Sequence, residues 1–210
     1  MNYLTILQYF GPQGLFSTQE IHKRFPRFDD RRLVEWQKKD YIQRVANRWY
    51  LFNKIPRDEP LLWWTANRIY QPSYLSLETA LSYYGLIPEG VYALTSVSSR
   101  KTKTLNTAIG SFTYRHLKPN RYFGYQVLRP TGSTTDRPVL MAYLEKALLD
   151  YLYLNTHLNS IDDFAALRLN ATLLRDQLDH QRLRTYLNLF GVRQLTRRIA
   201  VLHQYIDSYA

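Results

Sequence analysis

Hydrophobic and polar positions over the first fifty residues follow two successive periods. In residues 2–10 the apolar side chains Leu4, Ile6, Leu7 and Phe10 fall at helical spacing, and Gly11-Pro12 ends the run. Ser17-Thr18-Gln19-Glu20 is spaced as a capping box, in which Ser17 and Glu20 satisfy free amides at the start of a second helix, and Pro26 stops that helix. Asp29 or Asp30 can cap a third helix running to about Lys39. At 100° per residue its Leu33 and Trp36 share one side, while Arg31, Glu35 and Lys38 lie opposite with Arg32 and Lys39 beside them; Val34 falls off the apolar side. Residues 41–45 and 48–52 are β-prone and joined at Ala46-Asn47, where Asn tolerates a left-handed backbone.

Beyond residue 52 the pattern changes character. Residues 53–60 hold two prolines and four charges and suit a linker. Residues 61–70 read as a helix whose Trp63-Trp64 pair serves either packing between domains or, alternatively, a base-stacking platform. Ser76 can cap a helix over 77–84 that Gly85 closes, with Tyr74, Tyr83 and Tyr84 on its buried side. Residues 91–96, 110–117 and 122–128 are rich in β-branched and aromatic types and predict strands. Apolar spacing then predicts helices over 139–154, 162–169, 172–190 and 192–209, with Lys146 and Asp150 paired at i, i+4 on the surface. The expectation is an α+β chain of two domains. Residues 1–54 form the first; residues 55–210 form the second, with a small antiparallel sheet at about 91–129 and helices at about 139–209.

Helix, helix, helix, hairpin is the order of a winged helix-turn-helix. In such modules the helix after the turn enters the DNA major groove and the hairpin reaches backbone or minor groove. That places Arg31, Arg32, Lys38 and Lys39 on a docking face, Arg44, Asn47 and Arg48 on the wing, and Arg27 near phosphate. The same helix face also fits a solvated surface laced with Arg31–Glu35 and Glu35–Lys39 pairs. A second basic stretch, Arg100, Lys101 and Lys103 with Arg115 on the following strand, serves either to protect a sheet edge or to contact a polyanion.

Composition favours the nucleic-acid reading. The chain of 210 residues carries a net charge of +11 and a pI near 9.8, and a basic surface gathers a polyanion through counterion release. Residues 1–54 and 55–137 each hold 10 Lys+Arg against 5 Asp+Glu, whereas residues 138–210 hold 8 against 7, so the excess sits in the first two thirds. No apolar run is long enough for a membrane span, and the N-terminus lacks the features of a secretory signal, which favours a cytoplasmic location. The absence of Cys excludes disulfides, thiolate nucleophiles and cysteine metal sites. The five histidines show no metal-ligand spacing, no phosphate-binding glycine loop occurs, and Glu145 and Asp150 stand about 140° apart on a helix. Neither an enzyme nor a cofactor is expected.

Three stretches carry a family resemblance: residues 74–89 (YLSLETALSYYGLIPE), Gly110–His116 (GSFTYRH) and residues 145–150 (EKALLD). Together with the N-terminal pattern, this series resembles the AbiEi family of bacterial antitoxins, across nearly the whole chain. The resemblance implies a repressor of its own operon that binds double-stranded promoter DNA. It further implies an antidote to an AbiEii-like nucleotidyltransferase toxin, acting without a stable complex and through the C-terminal region. The alternative is a nucleic-acid or protein interaction module without antitoxin activity, using the basic sheet.

Overall fold

In the computed structural model, residues 2–88, 93–130 and 137–209 are described. The chain is mixed α+β. Its first part holds α1 (Tyr3–Phe10), β1 (Leu15–Ser17), α2 (Thr18–Arg24), α3 (Arg31–Lys38), β2 (Ile42–Ala46) and β3 (Trp49–Phe52). Asn2 caps α1 by accepting from the Thr5 amide, and Ser17 and Glu20 form the expected capping box on α2. Of the two candidates before α3, Asp29 supplies the side-chain acceptor, to the Arg31 amide, and Asp30 makes no side-chain capping bond. Strands β1, β3 and β2 lie in that order in an antiparallel sheet, and Ile6, Phe10, Phe16, Ile21, Leu33, Trp36 and Phe52 close a core between it and the three helices.

The rest comprises α4 (Glu59–Ile69), β4 (Ser73–Leu75), α5 (Leu77–Tyr83), β5 (Ala93–Ser98), β6 (Lys103–Thr107), β7 (Gly110–His116), β8 (Tyr125–Leu128), β9 (Val139–Ala142), α6 (Leu144–Leu154), α7 (Ile161–Ala166), α8 (Ala171–Gln177), α9 (His180–Phe190) and α10 (Arg193–Asp207). Six strands join in the order β6-β7-β5-β4-β9-β8. The sheet thus extends past 91–129 at both ends. Antiparallel character holds for three of its five pairings, while β5–β7 and β4–β9 run parallel. Helix α4 covers one face, receiving the Tyr114 hydroxyl at the Ala66 carbonyl; α5 and α6 cover the other, with α7 to α10 outside α6.

Several boundaries move for identifiable reasons. The apolar run 139–154 divides into β9 and α6, because four consecutive apolar residues carry no period that separates strand from helix. Residues 172–190 divide at Leu178-Asp179, where Asp179 accepts from the Arg182 amide and starts a new helix. Ser76 does not cap α5; its hydroxyl points instead to Asp150. Tyr83 is 45% exposed rather than buried. The expected strand at 91–96 begins, among the described residues, at Ala93.

The two parts are joined by more than the chain. Leu15, Val45 and Leu51 belong to the larger core, and Ile55 packs against both cores. Buried Arg137 donates to the Gln13 and Pro12 carbonyls at 3.1 and 3.3 Å, Arg68 of α4 pairs with Glu20 of α2, and the Arg68 guanidinium lies over Trp49 of β3. Residues 53–58 follow the same surface, with Arg57 donating to Gln43 at 2.7 Å.

Candidate nucleic-acid interface

Packing of Leu33 and Trp36 inward turns the opposite side of α3 to solvent. Arg27, Arg31, Val34, Glu35, Lys38 and Lys39 are exposed there, and Arg32 is half-buried. Arg31 is held by Asp29, its Nε 3.2 Å from the carboxylate, and the amide and guanidinium of Arg31 keep the Asp29 carboxyl below its usual range. Arg27, Arg32, Lys38 and Lys39 carry no ion pair among the described residues, and neither the Arg31–Glu35 nor the Glu35–Lys39 pair forms there. Arg27, Lys38 and Lys39 therefore face water without an ion-pair partner among the described residues, while half-buried Arg32 contributes to holding the Asp29 carboxyl down.

The hairpin is built around its turn. Arg44 bends back to the Ala46 carbonyl at 3.3 Å and to the Asn47 side chain at 3.2 Å, so these two wing residues are engaged with each other. The left-handed residue is Arg48, at φ 62°, not Asn47. Its carbonyl accepts the Thr18 amide at 3.0 Å and fixes the turn beside the start of α2. Arg48, Thr18, Gln19, His22, Leu33 and Val34 border a groove of about 730 Å³ between α2, α3 and the hairpin, closed at one end by a His22–Asp30 contact of 2.9 Å. Val34 was legible only as a flaw in the apolar stripe, yet it stands 53% exposed in this groove. An apolar residue on the polar face of a helix was the signal.

The second basic stretch is only partly assembled as expected. Residues 103–107, polar but for Leu105, form the edge strand β6, which approaches β2 of the hairpin, and Lys101 and Lys103 are exposed. Arg100 and Lys103 both sit on the Tyr70 ring, at 4.6 and 5.4 Å from its centroid. Arg115 does not join them. The alternation along β7 sends it to the other sheet face, where it reaches the Leu154 carbonyl at 3.5 Å.

Two of the three stretches bearing the family resemblance meet inside the second part. Lys146 and Asp150 are not a surface pair: both are 0% exposed and paired, Lys146 Nζ donates to the Tyr74 oxygen at 2.7 Å, and the Tyr74 and Ser76 hydroxyls each donate to Asp150 at 2.9 Å. Phe123, Tyr74 and Phe190 present their rings to the ammonium group. Burial pushes the Asp150 carboxyl up and the Lys146 ammonium down, and their mutual contact opposes both shifts. Glu145 turns toward α9 and accepts from the Asp179 amide and Arg182. The two carboxylates therefore do not converge, and the described residues include no cluster of three or more His, Asp or Glu suited to a metal ion. No helix among the described residues is long and apolar enough to cross a membrane.

Neither a protein-family model nor a curated protein sequence matches this chain.

Proposed function

We propose that this protein is a DNA-binding transcriptional repressor whose first fifty-odd residues act as a winged helix-turn-helix, and that it is the antitoxin of an AbiE-like operon. The observation that carries DNA binding is the arrangement around α3: a helix following a turn, flanked by a hairpin, with Arg27, Lys38 and Lys39 exposed and Arg32 half-buried on the side away from the core, all four without an ion pair among the described residues. Helix α3 lies in the major groove, the Asn47-Arg48 turn on adjacent backbone, and Arg27 on phosphate. Val34 supplies what cations cannot, an apolar contact for a thymine methyl group. No cofactor and no chemical step is needed.

Antitoxin action rests on the resemblance to AbiEi-like proteins. Support comes from the meeting of two of its three stretches in one buried Tyr74–Ser76–Lys146–Asp150 cluster, which fixes the sheet to α6. The partner is a nucleotidyltransferase toxin, countered without a stable complex in the cytoplasm. A second reading, in which the basic sheet makes the main contact, is favoured by the closeness of β6 to β2.

A gel-shift series with the duplex upstream of the gene decides between them. Affinity should fall steeply with salt, and Lys38→Ala with Lys39→Ala should weaken it by about tenfold or more at low salt. Unchanged binding by that variant, with loss in Lys101→Ala/Lys103→Ala, transfers the contact to the sheet. Co-expression of the full chain with a nucleotidyltransferase encoded beside it tests the antitoxin; failure to restore growth removes that part of the reading.

A further inference from the structure

Among the described residues lining the groove between α2, α3 and the hairpin, Asp30 is the only acid. It stands at the N-cap position of α3 without making a side-chain capping bond, and the neighbouring Asp29 accepts from the Arg31 amide. The Asp30 side chain is 61% exposed and turns to His22 of α2, with Oδ1 2.9 Å from Nε2. A carboxylate only accepts hydrogen bonds, so that ring nitrogen carries the proton. Oδ2 makes no hydrogen bond among the described residues and keeps its acceptor capacity. A negative charge in this groove opposes an approaching phosphate, so it weakens charge-driven binding to any duplex. Its acceptors match a base edge that offers donors.

We infer that Asp30 selects a cytosine in the operator by accepting from its N4 amino group in the major groove, with His22 as the positioning residue. This role rests on the DNA-binding reading above. In a helix-turn-helix the N-terminal residues of the recognition helix meet base edges, and Asp30 opens α3. Cytosine presents an amino donor in the major groove, whereas thymine and guanine present acceptors that a carboxylate repels. Adenine sets its amino donor beside the N7 acceptor, which suits an amide better than a carboxylate. His22 fixes one carboxylate oxygen, so the other is oriented before DNA arrives and less side-chain freedom is lost on docking. Val34 lines the same groove one helical turn on. At about 1.5 Å per residue the two stand about 6 Å apart along α3, close to two base-pair steps of about 3.4 Å. The cytosine therefore lies within about two base pairs of the thymine that Val34 meets.

Duplexes selected by the full chain from a randomised pool define its preferred site, and gel shifts with single base-pair changes in that site test the role. Replacing one C·G pair by T·A should weaken wild-type binding by about tenfold. Asp30→Asn keeps an acceptor for His22 but gives α3 an amide. This variant should lose the cytosine preference, favour adenine at that position, and bind unrelated duplexes several-fold more tightly at low salt. His22→Ala should flatten the same preference, and His22→Gln, which restores a donor, should recover it. Thermal unfolding of each variant separates loss of fold from loss of readout. A contact that only ties α2 to α3 would survive Asp30→Asn, so an unchanged cytosine preference in that variant overturns the inference. A selected site that tolerates T·A at every C·G pair also overturns it, while salt-dependent binding leaves the docking face standing. If the chain binds no duplex, the repressor reading falls and the cytosine contact with it.

Discussion

Lys146 and Asp150, one helical turn apart on α6, neutralise each other in the interior with neither exposed to solvent. Removing one partner leaves a buried charge with no counterion, whereas removing both and filling the space leaves only apolar packing. Lys146→Ala should therefore destabilise the protein by about 3–5 kcal/mol. The double variant Lys146→Met/Asp150→Leu should recover a large part of that loss, less the bonds that Tyr74 and Ser76 give to Asp150. Urea unfolding of the three proteins supplies the comparison. A double variant as unstable as Lys146→Ala would place the value of this site in the hydroxyl network and not in the charge pair.

This pair also marks the limit of what the sequence could convey. A Lys and an Asp at i, i+4 spacing have the same signature on a solvated helix as on a buried one, and only the long-range approach of Tyr74, Phe123 and Phe190 separates the cases. Local signals fared better in the first fifty residues. The Ser17–Glu20 box and the Leu33/Trp36 stripe specify their own helices, so α2, α3 and the outward direction of Lys38 were legible in advance. Short strands β1 and β4 were not, since three residues carry too little periodicity, and polar β6 resembled a loop until β7 paired with it. Within the candidate site the cations of α3 were readable from spacing. Arg115 was misplaced because its strand face depends on which helix covers which side.

Arg48 occupies the left-handed region at φ 62°, a conformation that costs a residue with a Cβ about 1–2 kcal/mol relative to glycine. Arg48→Gly should then leave the hairpin at least as stable as before, with thermal unfolding unchanged or raised. The same change deletes a cation at the groove rim, so DNA affinity should fall and its salt slope should shrink by about 1. An arginine retained in a strained position is explained if the two effects separate in this way. Loss of stability without loss of binding would assign Arg48 to the fold alone.

Acid should loosen the last two helices. His203 of α10 stacks on His180 of α9 with ring centroids 5.7 Å apart, and burial, followed by the neighbouring His180, depresses its pKa against the opposing pull of Asp207. With the folded-state value depressed, the unfolded chain takes up the proton first. The stabilisation is complete above the ordinary imidazole value of about 6.5 and is lost as pH falls through the folded-state value. Melting temperatures measured across that window should drop more for the wild type than for His203→Gln. Parallel pH profiles would show that the pair tolerates protonation.

Val34 and Lys38 of α3 predict different losses from the same helix face. Lys38 is exposed, without an ion pair among the described residues; in the proposed docking it meets phosphate, so Lys38→Ala should weaken every duplex by a similar factor and lower the salt slope by about 1. Val34 is 53% exposed beside the groove; in the proposed docking it acts through shape, so Val34→Ala should leave the salt slope intact and reduce discrimination among sequences by about 1 kcal/mol. A methyl contact can be removed from either side of the interface. Replacing the operator thymines by uracil should weaken wild-type binding but change Val34→Ala little, because the contact is already absent in the variant. Competition gel shifts at fixed salt measure all four combinations. An equal uracil penalty for wild type and Val34→Ala would move the thymine contact off Val34 and leave α3 with an electrostatic role only.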